Sequence, residues 1–178
     1  MDKFKALEKA RAIRDNTDLA IFIDKLANKS NNPYVYEDIF WHFLNDENFD
    51  VKAECIEALM SVLRKNDTKL IQTVIQEIAN SLDSDNRYSL RMSSIMGISE
   101  IKFNSKDHEI SLLLYDRYID PNEEDGIKGA CFVALLKIFF GITSAESFRR
   151  NGDLILGFTT ININKFEKEI KILKTLFG

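Results

Sequence analysis

The sequence predicts an all-α fold in which helical hairpins stack into a short α-α superhelix. The first observation is composition: among 178 residues there are only two prolines and seven glycines, as a mostly helical chain requires. The second is a pattern of apolar, basic and small residues that occurs three times, at Val51–Val62, Leu90–Ile101 and Ile127–Ile138. Its period of about 38 residues is typical of stacked helical hairpins.

The three copies of this pattern match position by position. The equivalent small residues are Cys55, Ser94 and Cys131, followed by Ala58, Gly97 and Ala134. Glycine inside a helix costs about 1 kcal/mol relative to alanine, so we expect two helix backbones to approach closely at Gly97. Helices two repeats apart lie too far apart for a disulfide. The two cysteines are therefore expected to be small core residues, neither a bridge nor a metal pair.

Residues 1–32 are expected to form an N-terminal capping hairpin. Its first helix runs from Lys3 to Arg14. Asp18 is expected to cap the second helix, which runs to Asn28. The second helix has apolar residues on more than one side, which indicates that it is covered on more than one side.

Residues 33–140 contain three predicted repeats, each a pair of helices. The pairs are Pro33–Asn45 with Phe49–Lys65, Thr68–Leu82 with Tyr88–Lys102, and Lys106–Ile119 with Glu123–Phe140. The turns between paired helices are rich in Asp and Asn, whose side chains accept hydrogen bonds from the first N–H groups of the next helix.

Residues 141–178 are expected to form a C-terminal cap, since the last unit of a stacked array must cover the end of its core. Ser144–Arg150 is expected to be a short helix. The segment from Leu154 to Ile163 is apolar and β-branched, which favours an extended conformation. Asn164 is expected to cap a last helix that ends at Phe177. At 178 residues, the whole chain is predicted to be one domain.

The Asp-rich turns, the basic residue inside each second helix and the small-apolar pair two turns later resemble HEAT repeats over residues 33–140. The resemblance implies that the second helices line a concave side. It also implies a ladder of ion pairs between turn aspartates and helix cations. Its aspartates would be Asp46 or Asp50, Asp85, and Asp120 or Asp125, paired in turn with Lys52, Arg91 and Lys128.

Charge and hydropathy argue against several classes of function. The net charge is −4 and the pI is about 5.3, the wrong sign for a general nucleic-acid binder. The longest apolar stretch, Ala130–Ile142, is shorter than the roughly 20 residues that span a bilayer. It is predicted to be a core helix. Because a charged helix opens the sequence where a signal peptide would lie, we expect a cytoplasmic protein with no membrane association.

The sequence contains few patterns that are typical of catalysis. The sequence has no glycine-rich phosphate loop after a strand and no His-Glu-x-x-His motif. Its two histidines, His42 and His108, lack convergent partners. Paired carboxylates such as Glu54 with Glu57, and the run from Glu123 to Asp125, are interpreted as solvated helix faces and favourable helix-dipole charges. We therefore expect neither an enzyme nor a cofactor or metal site.

The remaining prediction is a protein-binding module. Residues that point away from the repeated core positions could form an acidic groove for a basic or amphipathic protein partner. They are Glu54, Glu57, Ser61, Ser93, Met96, Glu100 and Lys137. Tyr34, Tyr36 and Trp41 are weaker candidates, with core packing favoured for Trp41.

The sharpest form of this hypothesis is a bacterial immunity or antitoxin-type protein that neutralises its partner. One alternative is a regulatory or scaffold subunit of a larger complex. A second, less favoured because of the acidic charge, is a HEAT-like enzyme of the DNA-glycosylase type.

Overall fold

The computed structural model describes residues 2–63, 67–80, 87–151 and 162–178. Within these ranges the fold is all-α, with ten α-helices and no strand, which confirms the predicted class. The helices are α1 (Lys3–Ala12), α2 (Asn16–Asn28), α3 (Glu37–Phe43), α4 (Phe49–Val62), α5 (Thr68–Ala79), α6 (Tyr88–Ile101), α7 (His108–Ile119), α8 (Asp125–Phe140), α9 (Ser144–Asn151) and α10 (Glu167–Phe177), with 3-10 helices at Pro33–Tyr36 and Ile163–Lys165.

Side-chain caps explain where several helices begin. The Asn48 side chain accepts hydrogen bonds from the backbone of Asp50 and Val51 at the start of α4. For α2 the cap is Asp15, which accepts from the backbone N–H of Asp18 at 3.0 Å. The prediction of Asp18 as this cap was wrong, because the helix begins one turn earlier.

The last helix also differs from the prediction. Asn164 lies inside a 3-10 helix, Ile163–Lys165, and α10 begins only at Glu167 with no side-chain cap at Phe166. Ile163 is therefore helical rather than extended. The rest of the segment predicted to be extended lies outside the described residues, except for Asn162.

The chain divides into two compact units. Unit 1 comprises Met1–Glu77 and Asp83–Gly97, and unit 2 comprises Ile78–Leu82 and Ile98–Gly178. The prediction of a single domain with a capped three-repeat array stays a prediction.

In unit 1, α4 is the central helix. Both α2 and α3 pack against it, and its side chains Ile56 and Leu59 are completely buried. The predicted pairing of the first repeat's helices is confirmed. Its first helix is not continuous, because Pro33–Tyr36 forms a 3-10 turn before α3 begins.

In unit 2, α7 packs against α8, as predicted for the third repeat. Nearly every residue of α8 from Gly126 to Ile138 is buried, so this apolar stretch is a core helix. Two backbone N–H groups, of Asn104 and Lys106, donate to carbonyl groups near the end of α8, each at 3.0 Å.

No single helix in the described part of the chain has the length and apolarity needed to cross a membrane. Helices α8 and α9 meet these criteria only when taken together, and they are bent by 115°.

The repeated small residues are buried as predicted. Cys55, Ser94 and Cys131 have no exposed surface, and the two cysteines are free thiols. Burial, followed by the nearby charges of Asp46 and Glu54, raises the pKa of the Cys55 thiol. At Gly97 the neighbour is a side chain rather than the predicted backbone: an added Cβ would lie 1.6 Å from Sδ of Met60.

The ion-pair ladder implied by the HEAT resemblance is contradicted at two of its three positions. The Lys52 ammonium lies 5.5 Å from the centre of the Phe49 ring, and Lys128 donates to the carbonyl oxygen of Pro121. Neither lysine pairs with a turn aspartate among the described residues. Arg91 is buried, and its predicted partner Asp85 lies outside the described residues.

Candidate functional site

A groove of about 630 Å³ lies in unit 1 between α2, α4 and the start of α6. We call it the acidic groove. It is lined by Thr17, Ala20, Ile21 and Asp24 from α2, by Asp50, Ala53, Glu54 and Glu57 from α4, and by Tyr88, Ser89, Met92 and Ser93 from α6. The described lining contains no lysine, arginine or histidine.

Helical periodicity brings the carboxylates of the acidic groove together. Asp50, Glu54 and Glu57 are spaced four and three residues apart, so they project from one face of α4. Asp24 joins them from α2. None of the four has a salt bridge to a described residue. Their negative charge is therefore not neutralised within the groove.

The clustering of these carboxylates changes the pKa of Glu54. Partial burial raises its pKa, and the negative charges of Glu57, Asp24 and Asp50 raise it further. The Glu54 side chain is half-buried, so it is less solvated than the sequence interpretation of a solvated helix face implied. A cation placed in the groove would stabilise the charged form of this carboxyl group.

Apolar side chains lie beside these carboxylates. Ile21 is 44% exposed and Tyr88 is 36% exposed. Ala20 and Ala53, which also line the groove, are buried. The acidic groove thus offers exposed apolar surface together with negative charge, which suits an amphipathic cationic ligand.

Glu57 is held in place by α6. The Oγ atom of Ser93 donates a hydrogen bond of 2.6 Å to Oε1 of Glu57, and Ser93 itself is buried. Ser93 therefore orients a carboxylate of the groove instead of presenting an exposed hydroxyl to a partner.

The seven partner-facing residues predicted from sequence do not form one surface. Glu54, Glu57 and Ser93 line the acidic groove, but Ser61 and Met96 do not. Ser61 is exposed, and its hydroxyl donates to the carbonyl oxygen of Ala58. Met96 is half-buried.

Glu100 and Lys137, the last two of the seven, belong to unit 2 and pair with each other. Lys137 was expected to point away from the core, which is wrong: its side chain is only 2% exposed. It lies on the helix α8, which is buried on almost all sides.

The sequence interpretation missed the contribution of α2 to the groove. Asp24 and Ile21 were assigned to the N-terminal cap, whose residues were expected only to cover the core. Their spacing of three residues, which places them on one helix face, was the available signal. The contribution of Tyr88 and Met92 to the groove was missed because α6 was interpreted only from its repeated core positions.

Two of the other candidate residues, Trp41 and Tyr36, are at least partly buried in the fold. The Trp41 indole N–H donates to Glu37, and Lys69 lies 3.8 Å from the centre of its ring. Tyr36 is buried and Tyr34 is 63% exposed. Trp41 is half-buried, so core packing accounts for part of its surface.

The histidines and acidic clusters were also predicted to be structural. The imidazole of His108 packs near the Phe177 ring, and the neighbouring Asp107 caps α7. His42 is exposed and lies against Phe43. Across the described ranges, no three His, Cys, Asp or Glu side chains are arranged to hold a metal ion.

These features define an all-helical protein with an acidic, partly apolar groove on its first unit. No protein-family model matches the chain, and neither a curated protein nor a solved structure matches it.

Proposed function

We propose that this chain is a non-catalytic protein-binding module whose acidic groove receives a basic, amphipathic segment of a partner protein. The observation that carries the proposal is the combination, in one groove, of four carboxylates without a cation and the exposed side chains of Ile21 and Tyr88. A helix with lysines or arginines beside leucines would satisfy both properties.

The raised pKa of Glu54 supports a cationic occupant. Bringing cations near Glu54 would relieve the repulsion from Glu57 and Asp24 and lower its pKa toward the ordinary value. Binding would then release protons at mildly acidic pH. The affinity for a basic segment is therefore expected to fall as the pH is lowered through the pKa of Glu54.

A non-catalytic role is supported by the chemistry of the groove. Its described lining has carboxylates, two serines, a threonine and a tyrosine but no histidine, lysine or cysteine, the groups that most often activate a nucleophile. The same negative charge opposes the phosphate backbone of DNA or RNA. It therefore disfavours the DNA-glycosylase alternative.

The test is a binding measurement with a fluorescein-labelled amphipathic peptide of lysine and leucine. The informative variant combines Asp24→Asn, Glu54→Gln and Glu57→Gln. A matched control combines Glu8→Gln, Glu109→Gln and Glu167→Gln, which removes three exposed carboxylates elsewhere. We expect the groove variant to bind at least about tenfold more weakly than wild type, because three ion pairs are lost, and the control to bind like wild type.

Equal weakening in both variants would show that the peptide responds only to net charge. That result, or no binding by wild type at low salt, would overturn the proposal. Circular dichroism of each variant establishes that the helices are intact.

The immunity or antitoxin form of the proposal predicts a further property of the natural partner. Its expression alone would arrest growth, and co-expression of this chain would restore growth only while the acidic groove is intact. A partner that is harmless alone would favour the alternative of a regulatory or scaffold subunit.

A further inference from the structure

Unit 1 contains a second groove, and its charge is opposite to that of the acidic groove. This groove has a volume of about 580 Å³ and lies at the end of α2. Its described charged residues are all lysines: Lys9 on α1, Lys25 on α2 and Lys29 directly after α2. We call it the lysine groove.

The two grooves use different faces of α2. Residues Ile21 and Asp24 line the acidic groove, whereas Phe22, Lys25 and Leu26 line the lysine groove. At 100° per residue, these sets project from separate sides of the helix. One helix therefore separates a negative surface from a positive one.

The lysines of this groove are not used for internal ion pairs. Among the described residues, no carboxylate lies within salt-bridge distance of Lys9, Lys25 or Lys29. The Lys9 ammonium lies 5.2 Å from the centre of the Phe22 ring. Three positive charges thus remain uncompensated in a chain whose net charge is −4.

The form of the groove indicates what kind of anion it suits. All three lysines are exposed, and the neighbouring Val35 is 42% exposed. Such an open surface does not enclose a small molecule, whose sites bury most of the ligand. Nucleic acids and anionic membranes call for longer arrays of cations than three lysines.

A peptide segment with several carboxylates fits this surface better. Its Asp or Glu side chains would pair with the lysines, and an apolar side chain would cover Val35. Asn31 and Asn32 also line the groove. Their side-chain amides both donate and accept hydrogen bonds, as recognition of a peptide backbone requires.

We propose that the lysine groove binds an acidic segment of a partner protein. This contact is separate from the basic segment assigned to the acidic groove. Because this contact adds a second binding surface to the same unit, it favours a role in which the chain joins two protein elements.

Selection from a random peptide library tests this proposal without knowledge of the natural partner. Wild type is compared with a variant that combines Lys9→Glu, Lys25→Glu and Lys29→Glu. A control combines Lys168→Glu, Lys171→Glu and Lys174→Glu on the exposed side of α10. We expect Asp- and Glu-rich peptides to be enriched on wild type and on the control, and to be lost on the groove variant.

An enriched peptide, labelled with fluorescein, then provides affinities. We expect the groove variant to bind it at least about tenfold more weakly, and salt to weaken wild-type binding because the ion pairs are exposed. Selected peptides without acidic residues, or equal loss in both variants, would overturn the proposal. Inorganic tripolyphosphate that binds these lysines when no acidic peptide does would also overturn it, in favour of a small anion.

The lysine-leucine peptide that probes the acidic groove separates this result from the proposed function. Its binding is expected to survive the three lysine substitutions. If the proposal for one groove is overturned, the proposal for the other groove would therefore still be supported.

Discussion

Unit 2 contains several ion pairs that are made within the unit, whereas the carboxylates of the acidic groove in unit 1 have no cationic partner among the described residues. In unit 2, Lys102 pairs with Asp107 and Arg150 pairs with Glu169. In the acidic groove, Glu54 has carboxylates as its charged neighbours. Carboxylates already held in ion pairs are less available for recognition, and this contrast is the reason for proposing the binding surface in unit 1.

Two carboxyl groups show the same contrast through their pKa values. Burial alone would raise the pKa of Glu169, but hydrogen bonds from Arg150 and from its own backbone N–H, and the charges of Arg150 and Lys168, hold it below its usual value. The pKa of Glu54 is raised, because burial and repulsion act in one direction. Acid is therefore expected to affect the two regions in opposite ways.

The largest effect is expected at the ion pair between Glu100 and Lys137. Glu100→Ala would leave the Lys137 ammonium buried without its carboxylate, and we expect a loss of about 2–3 kcal/mol in the free energy of unfolding. This loss lies at or below the lower end of the range usual for removing one partner of a buried ion pair, because the Glu100 side chain is 68% exposed. Urea denaturation at neutral pH measures it.

A second substitution shows whether the buried charge causes that loss. Adding Lys137→Met to Glu100→Ala removes the unpaired charge and keeps an apolar side chain of similar length, so we expect it to restore most of the stability. Glu109→Ala, at an exposed position of α7, is the matched control and should change stability little. A double variant no more stable than Glu100→Ala would contradict this explanation.

The burial of Lys137 also shows how far the sequence alone could predict this molecule. Periodicity and turn residues predicted all ten of the described α-helices in order, and repeated small residues predicted the buried positions of Cys55 and Cys131. The apolar run around Lys137 predicted a core helix, but the lysine itself was assigned to an outward-facing repeat position. That burial depends on which helices pack around α8, and a single sequence does not contain this information.

The candidate site was predicted only in part, for a related reason. Glu54 and Glu57 were found because both lie on one face of α4. Asp24 and Ile21 were assigned to another part of the fold, and the contact that brings α2 beside α4 is a tertiary one. Charge and exposure can be estimated along one helix, but predicting a groove between helices requires knowledge of how the helices pack.

An intermediate effect is expected at the pair of Arg150 and Glu169. Arg150 donates to Oε1 of Glu169 and to the carbonyl oxygen of Lys165, each at 2.9 Å, and its guanidinium lies over the Phe166 ring. Arg150→Gln is expected to lower the free energy of unfolding by about 1–2 kcal/mol at neutral pH, through the loss of charge-assisted hydrogen bonds.

The pH dependence of stability tests the electrostatic part of this effect. Because the pKa of Glu169 is lowered in the folded state, its contribution is present above the unfolded value of about 4.3 and is lost as pH falls through the folded pKa. We expect the difference between wild type and Arg150→Gln to shrink across this acidic range. A difference that is constant with pH would assign the effect to packing on Phe166 instead.

The smallest effect on stability is expected in the acidic groove. The folded pKa of Glu54 lies above its unfolded value, so its charge destabilises the folded state at neutral pH, and this penalty is relieved as pH falls through the folded pKa. Glu54→Gln is expected to be neutral or to stabilise by about 0.5 kcal/mol or less at neutral pH, since the group is half-exposed and screened by solvent. In the same variant we expect weaker binding of the lysine-leucine peptide, because the proposed ion pair between Glu54 and the peptide is lost. Urea denaturation and fluorescence anisotropy measure the two properties on one sample, and a Glu54→Gln protein that loses stability while binding the peptide unchanged would show that this residue serves the fold.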